Sequence, residues 1–127
     1  MIVADTHAWV WWIGWRHRMS RRALRTLDEA DEVGISVITC WEVALLVAKE
    51  RLNLDRDVLL WITQALELPN VRLLDLSPAV AVASTRLDWL HDDPADRIIV
   101  ATAIAHRVPL VSKDRRIRSF RPANAIW

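Results

Sequence analysis

Residues 1–8 read MIVADTHA, a short apolar run that ends in the carboxylate of Asp5. An uninterrupted apolar run of this kind is typical of a strand that is buried on both faces. Similar runs occur at residues 33–36, 71–76 and 109–112, and longer stretches with helical spacing separate them. This alternation predicts an α/β domain with a mainly parallel sheet, right-handed crossovers and helices on both faces.

The helix signals are clearest after residue 76. Ser77 is placed to cap a helix, Pro78 suits its first position, and apolar residues recur on one face as far as Leu90. A further short helix is expected at residues 8–15. The longer predicted helices cover residues 20–31, 37–50, 57–68, 78–90 and 96–106.

The composition favours a single domain over residues 1–127. Hydrophobic residues make up 53% of the chain, which is ample for one core. The single cysteine, Cys40, cannot form an internal disulfide, so a reducing compartment such as the cytoplasm is expected. No apolar stretch approaches the roughly 20 residues that span a bilayer, and no signal-peptide core precedes Asp5, so neither a membrane span nor secretion is expected.

Three acidic residues have apolar neighbours. Asp5 ends the first strand, Asp96 opens an apolar helix, and Glu42 lies within the apolar run 37–48, which we expect to be largely buried. A buried and unpaired carboxylate costs several kcal/mol, so Glu42 must be neutralised, paired or bound to a metal ion. Each position also has an ordinary explanation: Lys49 could pair with Glu42, Asp96 could cap its helix, and Asp5 could hold a turn.

Asp114 follows the fourth strand and adds an acid at the same edge, because the carboxyl ends of parallel strands meet there. Acids gathered at one edge repel one another unless cations share the space, and oxygen ligands favour Mg²⁺ or Mn²⁺. A cation held this way suits phosphodiester hydrolysis. The four histidines and one cysteine lack the spacing of a zinc site, so each histidine is expected to be a hydrogen-bonding or surface residue.

Four motifs, in order, resemble those of PIN-domain proteins, especially the VapC-type toxins. The first is the opening stretch at residues 2–8, and the resemblance spans essentially the whole chain. The others are SVITCWEVA at 36–44 with KERL at 49–52, HDDPADR at 91–97 followed by the apolar run 98–103, and LVSKD at 110–114.

The resemblance implies a three-layer α/β sandwich whose sheet has about five strands, the last near residues 125–127. It implies metal-binding and catalytic acids at Asp5, Glu42, Asp96 and Asp114. It also implies supporting or substrate-positioning side chains at Thr6, Asp93 and Ser112. Asp93, just before Pro94, is in addition a natural helix cap.

The family's toxins are endoribonucleases, so the resemblance implies a metal-dependent ribonuclease. It further implies homodimers and a cognate antitoxin that keeps the enzyme inactive. The RNA target and the identity of the antitoxin do not follow from the sequence, because target choice depends on the surface around the groove.

Basic residues concentrate in two segments although the net charge is only +1. They are candidate contacts to RNA phosphates, and a solvated helix face is the ordinary alternative. The candidates are Arg16, Arg18, Arg21, Arg22, Lys113, Arg115 and Arg116.

The short helix predicted at 8–15 is apolar on two opposite faces, and two tryptophans lie on the second of these faces. Trp11 and Trp15 are therefore expected to contact the antitoxin or a second protomer, since tryptophan is enriched among the residues that dominate interfaces. A thick local core is the alternative.

Two other functional classes fit the sequence less well than a nuclease. A phosphatase with Asp5 as nucleophile generally needs a second acid two residues later, where His7 stands. A receiver-like binding module would leave Glu42 unexplained and lacks a phosphoacceptor at the end of a middle strand.

Overall fold

A computed structural model describes all residues from Met1 to Trp127. Five parallel strands form one sheet, namely β1 (Ile2–Ala4), β2 (Val33–Ser36), β3 (Val71–Leu74), β4 (Leu110–Val111) and β5 (Ala125–Ile126). The helices are α1 (Thr6–Gly14), α2 (Arg21–Glu29), α3 (Val37–Ala48), α4 (Val58–Leu66), α5 (Pro78–Thr85), α6 (Pro94–His106) and α7 (Arg115–Ser119). Short 3-10 turns lie at Arg16–Arg18 and Arg121–Ala123.

The strand order is β3-β2-β1-β4-β5, with β1 in the centre. Val3 is in register with Gly34 of β2 on one side and with Leu110 of β4 on the other. From β1 the chain adds β2 and β3 outward, then returns to place β4 on the opposite side. The edge between β1 and β4 is therefore a topological switch point, where open α/β sheets bind their ligands.

The sheet separates two buried clusters. Ile2 and Ala4 point to one face, where they pack with α1, α2 and α4, and Val3 points to the other, where it packs with α6. This alternation along β1 follows from the two-residue repeat of a strand. The layers are helices, sheet and helices, so the α/β expectation is confirmed.

The predicted helices are found, but their ends differ. Ser20 and Asp57 cap their helices, which therefore begin one residue later than predicted, and Asp93 caps α6, which begins two residues earlier. The helices predicted over 20–31, 37–50 and 57–68 each end two residues earlier. The helix predicted over 78–90 stops at Thr85 and is followed by a loop to Asp93. Apolar spacing continues through that loop, yet Leu90 is fully exposed.

Gly34 lies close to the side chains of Leu74 and Met1. A Cβ at this position would lie 2.6 Å from Cδ1 of Leu74 and 3.3 Å from Sδ of Met1. Leu74 is itself buried, so its side chain has little space to move aside. The absence of a side chain at Gly34 thus leaves room for the side chain of Leu74.

None of the helices has the length and apolar character needed to cross a membrane.

Candidate metal centre

Asp5 lies at the carboxyl end of β1 and caps α1. Its Oδ1 accepts the backbone N–H of Ala8 at 2.8 Å, and only 7% of the residue is exposed. Burial raises the pKa of Asp5 from 3.8 to about 6, although hydrogen bonds from Ser112 and Ala8 lower it. The turn-forming role expected for Asp5 is therefore found, and it coexists with a carboxylate whose charge is poorly solvated.

Glu42 is tied to the start of α1. The hydroxyl of Thr6 donates a hydrogen bond to Oε1 of Glu42 and lies 3.4 Å from the hydroxyl of Thr39. Burial raises the pKa of Glu42, the Thr6 bond lowers it, and the charges of Asp96, Asp93 and Asp5 raise it again. Glu42 therefore lies close enough to three acids from other parts of the chain for their charges to act on it.

The expectation that α3 is largely buried was wrong. Only Thr39 and Val43 of this helix are buried, and Trp41 is 55% exposed. The helix covers the sheet with a single stripe, so its remaining apolar side chains reach the surface. Lys49 is exposed and does not contribute to the charge environment of Glu42, so the alternative salt bridge is not found.

Asp93 and Asp96 come from the start of α6. Asp93 is the cap of this helix, since its Oδ1 accepts the N–H of Asp96 at 3.1 Å, and Pro94 occupies the first turn. Carboxylate oxygens of Glu42, Asp93 and Asp96 all lie within 4.8 Å of one another. Burial raises the pKa of Asp96, a hydrogen bond from His91 lowers it, and the charge of Asp93 raises it.

Asp114 is more open and caps α7. Its Oδ1 accepts the backbone N–H of Arg116 at 2.7 Å. Partial burial raises the pKa of Asp114, but the backbone and guanidinium of Arg116 outweigh this, and the pKa is lowered overall. Ser112 is fully buried between Asp114, whose N–H it accepts at 3.1 Å, and Asp5.

The predicted acids thus gather at one edge, but not with equal closeness. Glu42 and Asp96 belong to the tight group, which includes Asp93 rather than Asp5 or Asp114. Asp114 is near enough to raise the pKa of both Asp5 and Asp96. Asp93 was expected only to support the site, and the capping geometry that brings its carboxylate into the group depends on the fold.

His91 is a site residue that the sequence did not single out. It was expected only to be a hydrogen-bonding or surface residue, and its Nε2 lies 2.6 Å from Oδ2 of Asp96. The only signal for it in the sequence is its position at the start of the third motif.

Some of the basic residues form ion pairs within the protein, and others do not. Arg16 is paired with Asp28 at 2.6 Å, and Arg116 lies 3.4 Å from Asp114. Others are exposed without an ion pair, namely Arg21, Arg22 and Arg115.

Trp11 and Trp15 are half-buried rather than openly exposed. The cations of Lys113 and Arg18 lie 5.5 and 5.9 Å from the centre of the Trp11 ring, and Trp127 meets it edge-on at 6.0 Å. Both tryptophans line a cavity of about 330 Å³. The most exposed tryptophan surface on α1 to α3 belongs instead to Trp41, which the sequence did not indicate.

Solved structures share this fold. VapBC2 from Rickettsia felis, crystallised with a DNA fragment from its promoter, matches with a TM-score of 0.72 at 18% identity, over 99% of this chain and 98% of that chain. A toxin-antitoxin complex from Klebsiella pneumoniae matches with a TM-score of 0.70 at 19% identity, over 100% of this chain and 97% of that chain.

The sequence also matches the model of the PIN domain over residues 2–121. The chain therefore belongs to the PIN domain family. Within that class it is similar to Ribonuclease VapC22 of Mycobacterium tuberculosis, with 40% identity over 121 residues, which cover 94% of this chain and 92% of the relative.

Proposed function

We propose that this protein is a divalent-metal-dependent endoribonuclease and the toxin of a toxin-antitoxin pair. The observation that carries the proposal is the group formed by Glu42, Asp93 and Asp96, flanked by Asp5 and Asp114 at the switch point of the sheet. The 40% identity to a VapC ribonuclease supports the choice of RNA as substrate.

The donor set fits a hard cation. Every donor is a carboxylate oxygen, which suits Mg²⁺ or Mn²⁺ rather than a softer metal. Burial and mutual repulsion raise the pKa values of Asp5, Glu42 and Asp96. A positive charge at their centre would offset this repulsion and stabilise the ionised carboxylates.

We assign the metal-binding role to Asp5, Glu42, Asp96 and Asp114, and add Asp93 to them. A cation held there would lower the pKa of a water molecule and stabilise charge on the phosphate oxygens. Thr6 and Ser112 orient the carboxylates of Glu42 and Asp5 through their hydroxyl groups.

The exposed cations would hold the RNA strand beside this edge. Arg21, Arg22 and Arg115 are unpaired and can attract phosphates, whereas Arg16 is already neutralised within the chain. Lys113 and Arg18 lie over Trp11, and Arg18 also lines the cavity beside it. Binding through such contacts weakens steeply with salt.

The test is cleavage of single-stranded RNA with Mg²⁺, Mn²⁺ or a chelator. Asp5→Asn and Asp96→Asn should each abolish cleavage, because each removes a charge from the metal site with little change in volume. Asp92→Asn is the matched control, since Asp92 lies in the same motif as Asp96 but is exposed. Wild-type cleavage in chelator, or in both variants, would overturn the proposal, and hydrolysis of a phosphomonoester instead of RNA would favour a phosphatase.

We propose further that the chain binds an antitoxin, since a matched structure is a toxin-antitoxin complex, and that it forms a homodimer, as the resemblance to the VapC-type toxins implies. Trp11 and Trp15 are the proposed contacts. Replacing both with serine should weaken antitoxin binding or dimerisation, measured by light scattering of the purified pair, while RNA cleavage by the free toxin survives. Trp41→Ser is the comparison, because Trp41 is more exposed. An unfolded double variant, or unchanged association, would contradict the assignment.

A further inference from the structure

The loop between α5 and α6 carries a buried histidine at the metal centre. His91 is 7% exposed as a residue, and its side chain is 3% exposed. Its Nε2 lies 2.6 Å from Oδ2 of Asp96, while Oδ1 of Asp96 has no hydrogen-bond partner within the protein. One oxygen of this carboxylate is therefore occupied by the imidazole, and the other is uncommitted.

The backbone around His91 is held by one side chain. The guanidinium of Arg97 donates to four carbonyl oxygens, those of Ser84 at 2.8 Å, Leu87 at 2.9 Å, Trp89 at 2.7 Å and His91 at 2.9 Å. Arg97 follows Asp96 directly on α6. The helix that presents the carboxylate thus also fixes the loop that presents the imidazole.

Aromatic contacts fix the ring of His91 as well. Trp89 meets it edge-on with the ring centres 4.8 Å apart, and Trp89 is in turn stacked on Phe120 at 4.8 Å. His91 lies outside the group of carboxylates that are close enough to share one ion. Its position is that of a residue acting on a ligand, and not of a ligand.

We propose that His91 is a positioning residue that orients the carboxylate of Asp96 for the divalent cation. The inference rests on the proposed function, because it assigns Asp96 to the metal site. Partners of this kind fix a ligand's orientation before the metal arrives, and their loss typically weakens metal binding 10- to 100-fold.

The decisive comparison is between two amide variants. The nitrogen of glutamine reaches the position of Nε2, whereas that of asparagine falls short by one methylene group. His91→Asn should therefore weaken Mn²⁺ binding by roughly 10- to 100-fold, and His91→Gln should keep it within a few-fold of the wild type. His106→Asn is the control, because His106 is exposed at the far end of α6.

Mn²⁺ affinity is measured by titration calorimetry, and the melting temperature of each metal-free variant is recorded beside it. A purely structural role would lower the melting temperature and affinity of both variants together, which would overturn the inference. Unchanged Mn²⁺ affinity in His91→Asn would overturn it as well. A wild-type protein that binds no Mn²⁺ would instead overturn the metal-dependent function, and with it the role of His91.

Discussion

Replacing Asp5 with asparagine should stabilise the metal-free protein at neutral pH. Burial raises the pKa of Asp5 from 3.8 to about 6, a rise of about 2.2. One unit of pKa corresponds to about 1.4 kcal/mol, so holding Asp5 ionised costs the folded state roughly 3 kcal/mol above pH 7. The amide avoids this cost, and its oxygen can still accept the N–H of Ala8.

The pH dependence follows from the direction of the shift. Because the folded pKa is raised, the stability that Asp5 contributes as a neutral acid is complete below about pH 4 and is lost as the pH rises through 6. The variant and the wild type should therefore be equally stable near pH 4. At pH 7.5 the variant should melt roughly 10 °C higher, on the usual relation between free energy and melting temperature for a domain of this size.

The assay is thermal and urea denaturation in chelator from pH 4 to pH 8. Asp114→Asn is the contrasting variant, because the pKa of Asp114 is lowered and its charge stabilises the fold. This variant should gain no stability at neutral pH. A lower melting temperature for Asp5→Asn at pH 7.5, or a difference that does not change with pH, would refute the reasoning.

Three further predictions concern separate parts of the molecule. Glu42→Gln should lose RNA cleavage yet raise the melting temperature in chelator, since the pKa of Glu42 is also raised by burial; a lower melting temperature would contradict this. Gly34→Ala should lower the free energy of unfolding in urea by about 1 to 3 kcal/mol, and adding Leu74→Val should recover part of the loss. Arg97→Lys should speed hydrogen exchange in residues 86–92, because an ammonium cannot serve four carbonyls; unchanged exchange would show that the loop does not depend on the guanidinium.

The fold could be predicted because its signals are local. The run at 33–36 became β2 with the expected bounds, and Ser77 caps α5 as its position indicated. The end of α5 could not be predicted, because the apolar spacing continues to Leu90. Arg97, 13 residues beyond Ser84, takes the carbonyls that a longer helix would have used.

The acids of the site could be recognised from their apolar neighbours and from the four motifs. Which of these acids lie closest together could not be predicted. Whether Asp93 or Asp5 lies closest to Glu42 depends on how the cap of α6 orients a carboxylate, and this is decided by packing between helices that are distant in sequence. His91 escaped notice for the same reason, since its partner is set by the path of a loop.

The order of the strands has a consequence for how the protein is made. Ser112, which lies beside Asp5, donates its backbone N–H to Ile126 at 3.1 Å, so β4 is held between β1 and the later strand β5. Translation runs from the amino terminus, and a growing chain gathers its domain as the segments emerge. Asp5 is made more than a hundred residues before Asp114, so it is Asp114 that joins the other acids last. A partly folded chain in which β4 has not yet docked on β1 therefore lacks Asp114 beside Asp5, so the carboxylate centre is completed only when the sheet is.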